Sequence, residues 1–217
     1  MTIIRLTTIP WAPPAFQGQV RDLAVRWALE ESGLPYELLL LAPENRRTAQ
    51  YRARQPFGQI PVLDDDGICV FESGAIVLHL AEKTKLLPAD PAARARARSW
   101  MFAALNSVDP CVGALGDIDH FHADEPWAQE RRPQAVRNVQ SKLDAVAAQL
   151  DGRQFLAGEF SAADIMMIMV LRALRHTRLV ADTPILNSWR DACEARPAFK
   201  RALESQLETF ARHAPAN

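Results

Sequence analysis

The chain has 217 residues, 48% of them hydrophobic and 24% charged, with 15 prolines and only 9 glycines. That composition describes a globular protein with a sizeable core and excludes disordered and fibrous classes, and the length suits one large domain or two small ones. Lys and Arg number 25 against 26 Asp and Glu, a formal charge of -1, so the overall charge implies neither nucleic acid nor an anionic membrane as partner.

The opening Met1-Thr2-Ile3-Ile4-Arg5-Leu6 lacks a basic region followed by an apolar one. No stretch reaches the roughly 20 apolar residues of a membrane span, and the expected location is the cytoplasm. Cys69, Cys111 and Cys193 are odd in number and far apart. They read as buried or half-buried thiols in a reducing compartment, not as a disulfide or zinc framework.

Ile3 to Ile9 is a β-branched apolar run closed by Pro10, the pattern of a buried strand. The stretch Trp11 to Gly18 contains Pro13-Pro14 and Gly18, too many breakers for a regular element. From Val20, apolar residues at Leu23, Ala24, Trp27 and Ala28 put one face of a helix on the core, and Gly33 with Pro35 behind it ends that helix. Tyr36 to Leu41 reads as a second strand, which completes a right-handed βαβ unit. Pro43 to Arg54 is polar and reads as a surface loop or short helix.

Ile60 to Leu63 and Ile68 to Phe71 flank an Asp-Gly turn and are expected to pair as a β-hairpin, with Pro61 at the strand start. Ser73 precedes the periodic Ile76, Val77 and Leu80 and is the expected N-cap of a helix to about Lys83. Beyond Leu86 no strand pattern occurs: Ala92 to Leu105, Ala128 to Leu150, Ala162 to Arg175 and Leu186 to Phe210 read as helices, with Pro197 a break point in the last. Ser161 with Asp164 forms a capping signal, and the run Ile165 to Leu171 is apolar on every side, as in a helix enclosed by others. The expected organisation is an α/β domain over residues 1–84, a linker over 85–91 and an all-α domain over 92–217.

The stretches Trp27 to Glu37, Gln55-Pro56-Phe57-Gly58-Gln59-Ile60-Pro61-Val62-Leu63, Phe71 to Ile76 and Phe160 to Ile165, in this order and spacing, resemble the glutathione transferase family over essentially the whole chain. The resemblance implies a thioredoxin-like domain followed by a helical-bundle domain, and a homodimer that binds glutathione as co-substrate. It implies a cis bond at Ile60-Pro61, which for an X–Pro pair costs only about 0.5–1 kcal/mol. The backbone of Ile60, with Gln59 beside it, would hold the cysteinyl unit of the tripeptide along a sheet edge. Glu72 and Ser73 would take the γ-glutamyl end at a positive helix terminus. Counting back places Arg46 at the glycyl carboxylate, against the reading of a solvated Arg46-Arg47 pair.

One departure matters for the chemistry. Transferases of this fold place a Tyr, Ser or Cys near the sulfur, yet between Pro10 and Val25 the chain has none. Gln19 and Arg21 occupy the corresponding positions. A guanidinium and amide donors near a helix start can stabilise a thiolate without a hydroxyl, and the alternative for Arg21 is an ion pair with Asp22 or Glu31. Trp11 and Phe16 are candidates to wall a pocket for an apolar electrophile, or else core residues, and Phe102 is a further pocket candidate.

His120-Phe121-His122 with Asp117, Asp119 and Asp124 fits no standard metal spacing and reads as a polar loop, while His79, His176 and His213 read as isolated. No metal or nucleotide fingerprint is found. The expected activity is conjugation of glutathione to a small electrophile. The alternatives are a glutathione-dependent isomerase or dehalogenase, or a glutathione-binding protein without catalysis.

Overall fold

The computed structural model describes residues 3–215. Met1 and Thr2, part of the stretch read for a leader, and Ala216 and Asn217 lie outside the described residues. The chain divides into two compact units, one comprising the residues up to Leu86 together with those from Ala195 onward, the other Leu87–Glu194.

The first unit begins β1 (Ile4–Thr8), α1 (Asp22–Ser32), β2 (Tyr36–Leu40), α2 (Ala49–Arg52), β3 (Val62–Asp65), β4 (Ile68–Phe71) and α3 (Ser73–Glu82). Short 3-10 turns at Pro14–Phe16 and Pro43–Arg47 add regular structure where breakers and polar residues had masked it. The strands form one mixed sheet of order β2-β1-β3-β4, with β1 parallel to β2 and antiparallel to β3. Leu6 and Leu63 face one another across β1 and β3 and are fully buried. Helix α1 starts at Asp22, two residues later than its periodicity suggests, and is buried along Asp22 to Leu29. Gly33, at φ +62, ends it with the left-handed turn that glycine accommodates without a Cβ penalty.

The second unit contains α4 (Pro91–Ala103), a π-helical turn Ala104–Val108, α5 (Asp109–Phe121), α6 (Pro126–Leu150), α7 (Ala162–Arg172) and α8 (Pro184–Glu194). Helix α5 corrects the expected polar loop, because Asp117, Asp119, His120 and Phe121 lie in its last turns. Pro110, Gly113 and Gly116 hide its helical period in the sequence. His176 is not isolated, since its Nε2 lies 3.0 Å from Asp119, which also forms an ion pair with Arg132. Likewise His79 is 2.7 Å from Asp65. Cys69 is exposed, while Cys111 is half-buried and Cys193 buried.

The last helix, α9 (Pro197–Arg212), was expected within the helical domain but in space belongs to the first unit, where it packs on α1. Trp27 meets Phe199 edge-on at 4.8 Å, and Arg196 pairs with Glu31. Aromatic side chains and long polar ones both come from α9, so proximity in sequence misleads about which core it joins.

In the second unit, every residue of α7 is buried, and its start is fixed by a reciprocal capping box. One oxygen of Asp164 accepts from the Leu156 N–H and the Trp189 Nε1–H, the other from the Ser161 N–H and hydroxyl. Burial pushes this carboxyl up to about 6 against the pull of those donors. Between about pH 4 and pH 6 the folded chain therefore holds the proton more tightly than the unfolded chain, and the group's contribution to stability declines as pH rises across that window. Asp164→Asn cannot ionise and is expected to remove this slope from urea unfolding measured against pH. At pH 7 it should also lose about 1–3 kcal/mol, because a donor replaces one accepting oxygen. A slope unchanged in the variant would place the titration in another group.

Candidate functional site

The sheet register brings the segments that carry the expected site residues, Phe102 apart, to one end of the first unit. Thr7 lies opposite Leu39 on β2 and Val62 on β3, and Val62 lies opposite Phe71 on β4. Because β3 runs against the other three strands, the ends of β1, β2 and β4 collect beside the start of β3. Immediately beyond this row come the 9–21 loop after β1, the turn bearing Arg46 after β2, Ile60-Pro61 before β3 and Glu72-Ser73 after β4. Segments scattered over more than 60 positions of the sequence thus become neighbours through strand pairing alone.

The Ile60-Pro61 bond is cis, as the resemblance implied. Two residues that sequence reasoning did not single out hold its approach. Gln55, 1% exposed, accepts the Phe57 and Gln59 N–H groups at 2.7 and 3.2 Å through one amide oxygen. Tyr51, whose phenol burial pushes upward, donates to the Gln59 carbonyl at 2.6 Å. The signal for Gln55 was its place at the head of the Gln-Pro-Phe-Gly-Gln-Ile-Pro stretch; Tyr51 carried none.

Gly58 sits at φ +67, and a Cβ there would lie 2.7 Å from the Arg46 carbonyl oxygen. This close approach seats the Arg46 turn against the motif that leads to Pro61. Arg46 is half-buried, and with Glu44, Arg47, Arg52 and Phe57 it lines a cleft of about 590 Å³. Three guanidinium groups against the single Glu44 carboxylate leave this cleft cationic, which favours an anion.

Ser73 is not the N-cap. That position falls to Glu72, whose φ of +70 turns the chain sharply out of β4, so Ser73 becomes the first helical residue and is buried. A left-handed conformation at a residue with a side chain costs on the order of 1–3 kcal/mol and concentrates at functional sites. No side chain caps this end of α3, which leaves the terminus to be satisfied by water or a ligand anion.

The 9–21 loop is braced from within. Gln17 Nε2 donates to the Ala12 carbonyl at 2.9 Å, and Gln19 Nε2 to the Ala15 carbonyl at 2.6 Å. The Gln19 backbone N–H is also engaged, with the Phe16 carbonyl, and does not supply the open donor expected there. Arg21 stands at the N-cap of α1 and is half-buried. Arg21 is itself engaged in an interaction, and of the partners expected for it Asp22 also bonds Arg26 and Glu31 also bonds Arg196. Trp11 and Phe16 are half-buried, neither of them a core residue. Thr7 and Thr8 carry hydroxyls but are buried in β1, 2% and 0% exposed. Phe102, on α4 of the second unit, is 56% exposed.

Residues 15–82 match the family of glutathione S-transferase N-terminal domains, and residues 125–205 match that of the C-terminal domains. A glutathione S-transferase 4 of Zea mays is 30% identical, covering 82% of this chain and 84% of its own. The chain belongs to the glutathione S-transferase family. The disulfide-bond oxidoreductase YfcG of Escherichia coli (strain K12) is also 30% identical, over 81% of this chain and 86% of that protein. Among solved structures, a glutathione transferase of Burkholderia graminis with two glutathione molecules bound per subunit superposes with a TM-score of 0.81 at 30% identity, covering 94% and 88% of the two chains. The thioredoxin-like unit with its four-stranded mixed sheet, followed by helices, is the architecture of this family.

Among the described residues no grouping of three or more His, Cys, Asp or Glu side chains could hold a metal ion, and no helix is long and apolar enough to cross a membrane.

Gln55 gives the site its most direct structural test. Gln55→Leu leaves the Phe57 and Gln59 N–H groups without their acceptor and is expected to cost about 1–3 kcal/mol in urea unfolding. A variant as stable as the parent would show that this bracket does not hold the motif.

Proposed function

We propose that this protein is a glutathione transferase that promotes the thiolate of bound glutathione and directs it at a small apolar electrophile. The observation that carries this reading is the convergence on one sheet end of the Ile60-Pro61 edge, the uncapped Glu72-Ser73 terminus and the Arg46 turn. The dimensions agree. A three-residue extended peptide spans about 10 Å, and three inter-strand spacings from β2 to β4 span about 14 Å.

In this arrangement Ser73 and the first N–H groups of α3 receive the γ-glutamyl carboxylate, and Glu72 accepts from its ammonium. The Ile60 backbone and Gln59 take the cysteinyl unit, and Arg46 the glycyl carboxylate. The thiol then faces the loop that follows β1, the strand next to β3. A thiol of pKa about 8.5 is mostly protonated at neutral pH, and a nearby cation or helix start lowers that value by about one unit or more. Arg21 at the start of α1 supplies the charge, and Gln19 supplies the amide hydrogen not given to Ala15. Trp11 and Phe16 wall the electrophile's side of the loop. The same reading makes the protein a cytoplasmic homodimer with a role in detoxification.

A second reading is favoured by the similarity to the E. coli disulfide-bond oxidoreductase and by the missing Tyr, Ser or Cys between Pro10 and Val25. Here the same thiolate attacks a disulfide sulfur; the old S–S bond breaks, and the leaving thiolate takes up a proton. Product analysis separates conjugation from exchange.

Ser73→Ala is expected to weaken glutathione binding by about 1–2 kcal/mol, roughly five- to thirtyfold in Kd by calorimetry. Unchanged affinity with circular dichroism intact would remove Ser73 from the site. Arg21→Ala is expected to raise the pKa of the bound thiol, followed by ultraviolet thiolate absorbance, with affinity largely kept. An unaltered thiol titration would shift the assignment to Gln19 and the backbone.

A further inference from the structure

Helix α9 places a fully buried glutamine against the loop that carries Gln19 and Arg21. Gln206 is 0% exposed, and its amide bonds are committed to alternate residues of that loop. Its Oε1 accepts the Gly18 N–H at 3.0 Å, while its Nε2 donates to the Val20 carbonyl at 3.3 Å and to Asp22 Oδ1 at 2.6 Å. Residues 18, 20 and 22 are thereby tied to α9, and the residues between them, 19 and 21, are the two that the proposed function assigns to the thiol.

The anchor is itself anchored. Asp22 Oδ2 accepts from Arg26 Nε at 2.8 Å, and Arg26 Nη1 donates to Ser205 Oγ at 2.7 Å, so α9 closes a polar circuit through neighbouring positions 205 and 206. Asp22 and Arg26 are also 0% exposed, and among the described residues Arg26 Nη2 has no hydrogen-bond partner. Filling the same volume with apolar side chains would stabilise the helix pair at least as well, because buried charge carries a desolvation cost. What an apolar core cannot supply is direction. An amide that spends both hydrogens and its oxygen on one short segment allows that segment a single conformation.

We propose that Gln206 is a positioning residue: it fixes residues 18–22 in the conformation that presents Gln19 and Arg21, and thereby sets how strongly the protein acidifies the bound thiol. This rests on the proposed glutathione reading and deepens it by making thiol activation depend on the chain's last helix.

The test compares wild type, Gln206→Met, Gln206→Asn and Arg196→Ala. The last breaks the Glu31 pair and loosens the same α1–α9 contact away from the loop. Three quantities are read: amide hydrogen exchange of residues 18–22 without ligand, glutathione Kd, and the pKa of the bound thiol from thiolate absorbance. In both Gln206 variants, exchange at Gly18 should rise about tenfold or more, and the thiolate fraction at neutral pH should fall about three- to tenfold, the scale of one lost hydrogen bond, with Kd changing less. Arg196→Ala should lower the melting temperature and leave the thiol titration where it was.

Gln206 variants that fold, melt lower and titrate like wild type would overturn the proposal, as would an Arg196→Ala variant that moves the thiol equally. If Gln206→Met does not fold, the shorter but still amide-bearing Gln206→Asn decides. Wild-type protein that binds no glutathione overturns the proposed function and the thiol half of this proposal with it. Unchanged Gly18 exchange in folded Gln206→Asn overturns the positioning half independently.

Discussion

Strand register is the constraint on which the rest of this protein depends. The row Leu39, Thr7, Val62, Phe71 aligns four strand ends, and the residues just beyond it inherit their proximity from that alignment. Leu6 and Leu63, fully buried and mutually opposed, hold the register, since a slip of one residue would turn each strand's apolar set to the wrong face. The hydrophobic effect therefore brings a cationic turn, a backbone edge and a helix start together.

Local devices then trim each piece. Gln55 and Tyr51 fix the approach to Pro61, Gly58 lets the Arg46 turn come within van der Waals reach, and the left-handed Glu72 aims the start of α3. At the start of α1, the Gln206 bonds tie down the loop in which a Tyr, Ser or Cys is missing. A site that relies on charge and amide donors needs tighter positioning than one with a hydroxyl, because the fields of an arginine and a helix terminus fall off with distance and are screened wherever water enters.

The elements with strong period or punctuation were legible in the sequence: the βαβ unit with its helix ended by Gly33, the hairpin around Asp66-Gly67, and α7 with its Ser161-Asp164 box. Helix α5 was not, because Pro110 and two glycines interrupt its apolar stripe. The place of α9 was equally hidden, since amphipathicity says that a helix buries one face but not against which partner. At the candidate site, the cis bond at Ile60-Pro61 was readable from the ordered motifs. The cap at Glu72 was misassigned to Ser73 because residue preference favours serine, whereas the turn out of β4 decided the position. Gln206 acts on residues more than 180 positions away, and Tyr51 on a carbonyl eight positions on, through bonds that no sequence spacing records.

We propose above all that the assembled sheet end binds glutathione and draws off its thiol proton. A glutathione titration at pH 7, followed at once by tryptophan fluorescence and by ultraviolet thiolate absorbance, tests both halves together. Both signals are expected to saturate at the same glutathione concentration. Fluorescence that saturates without thiolate would contradict the activation claimed for the Gln19–Arg21 loop, and silence in both would contradict the ligand itself.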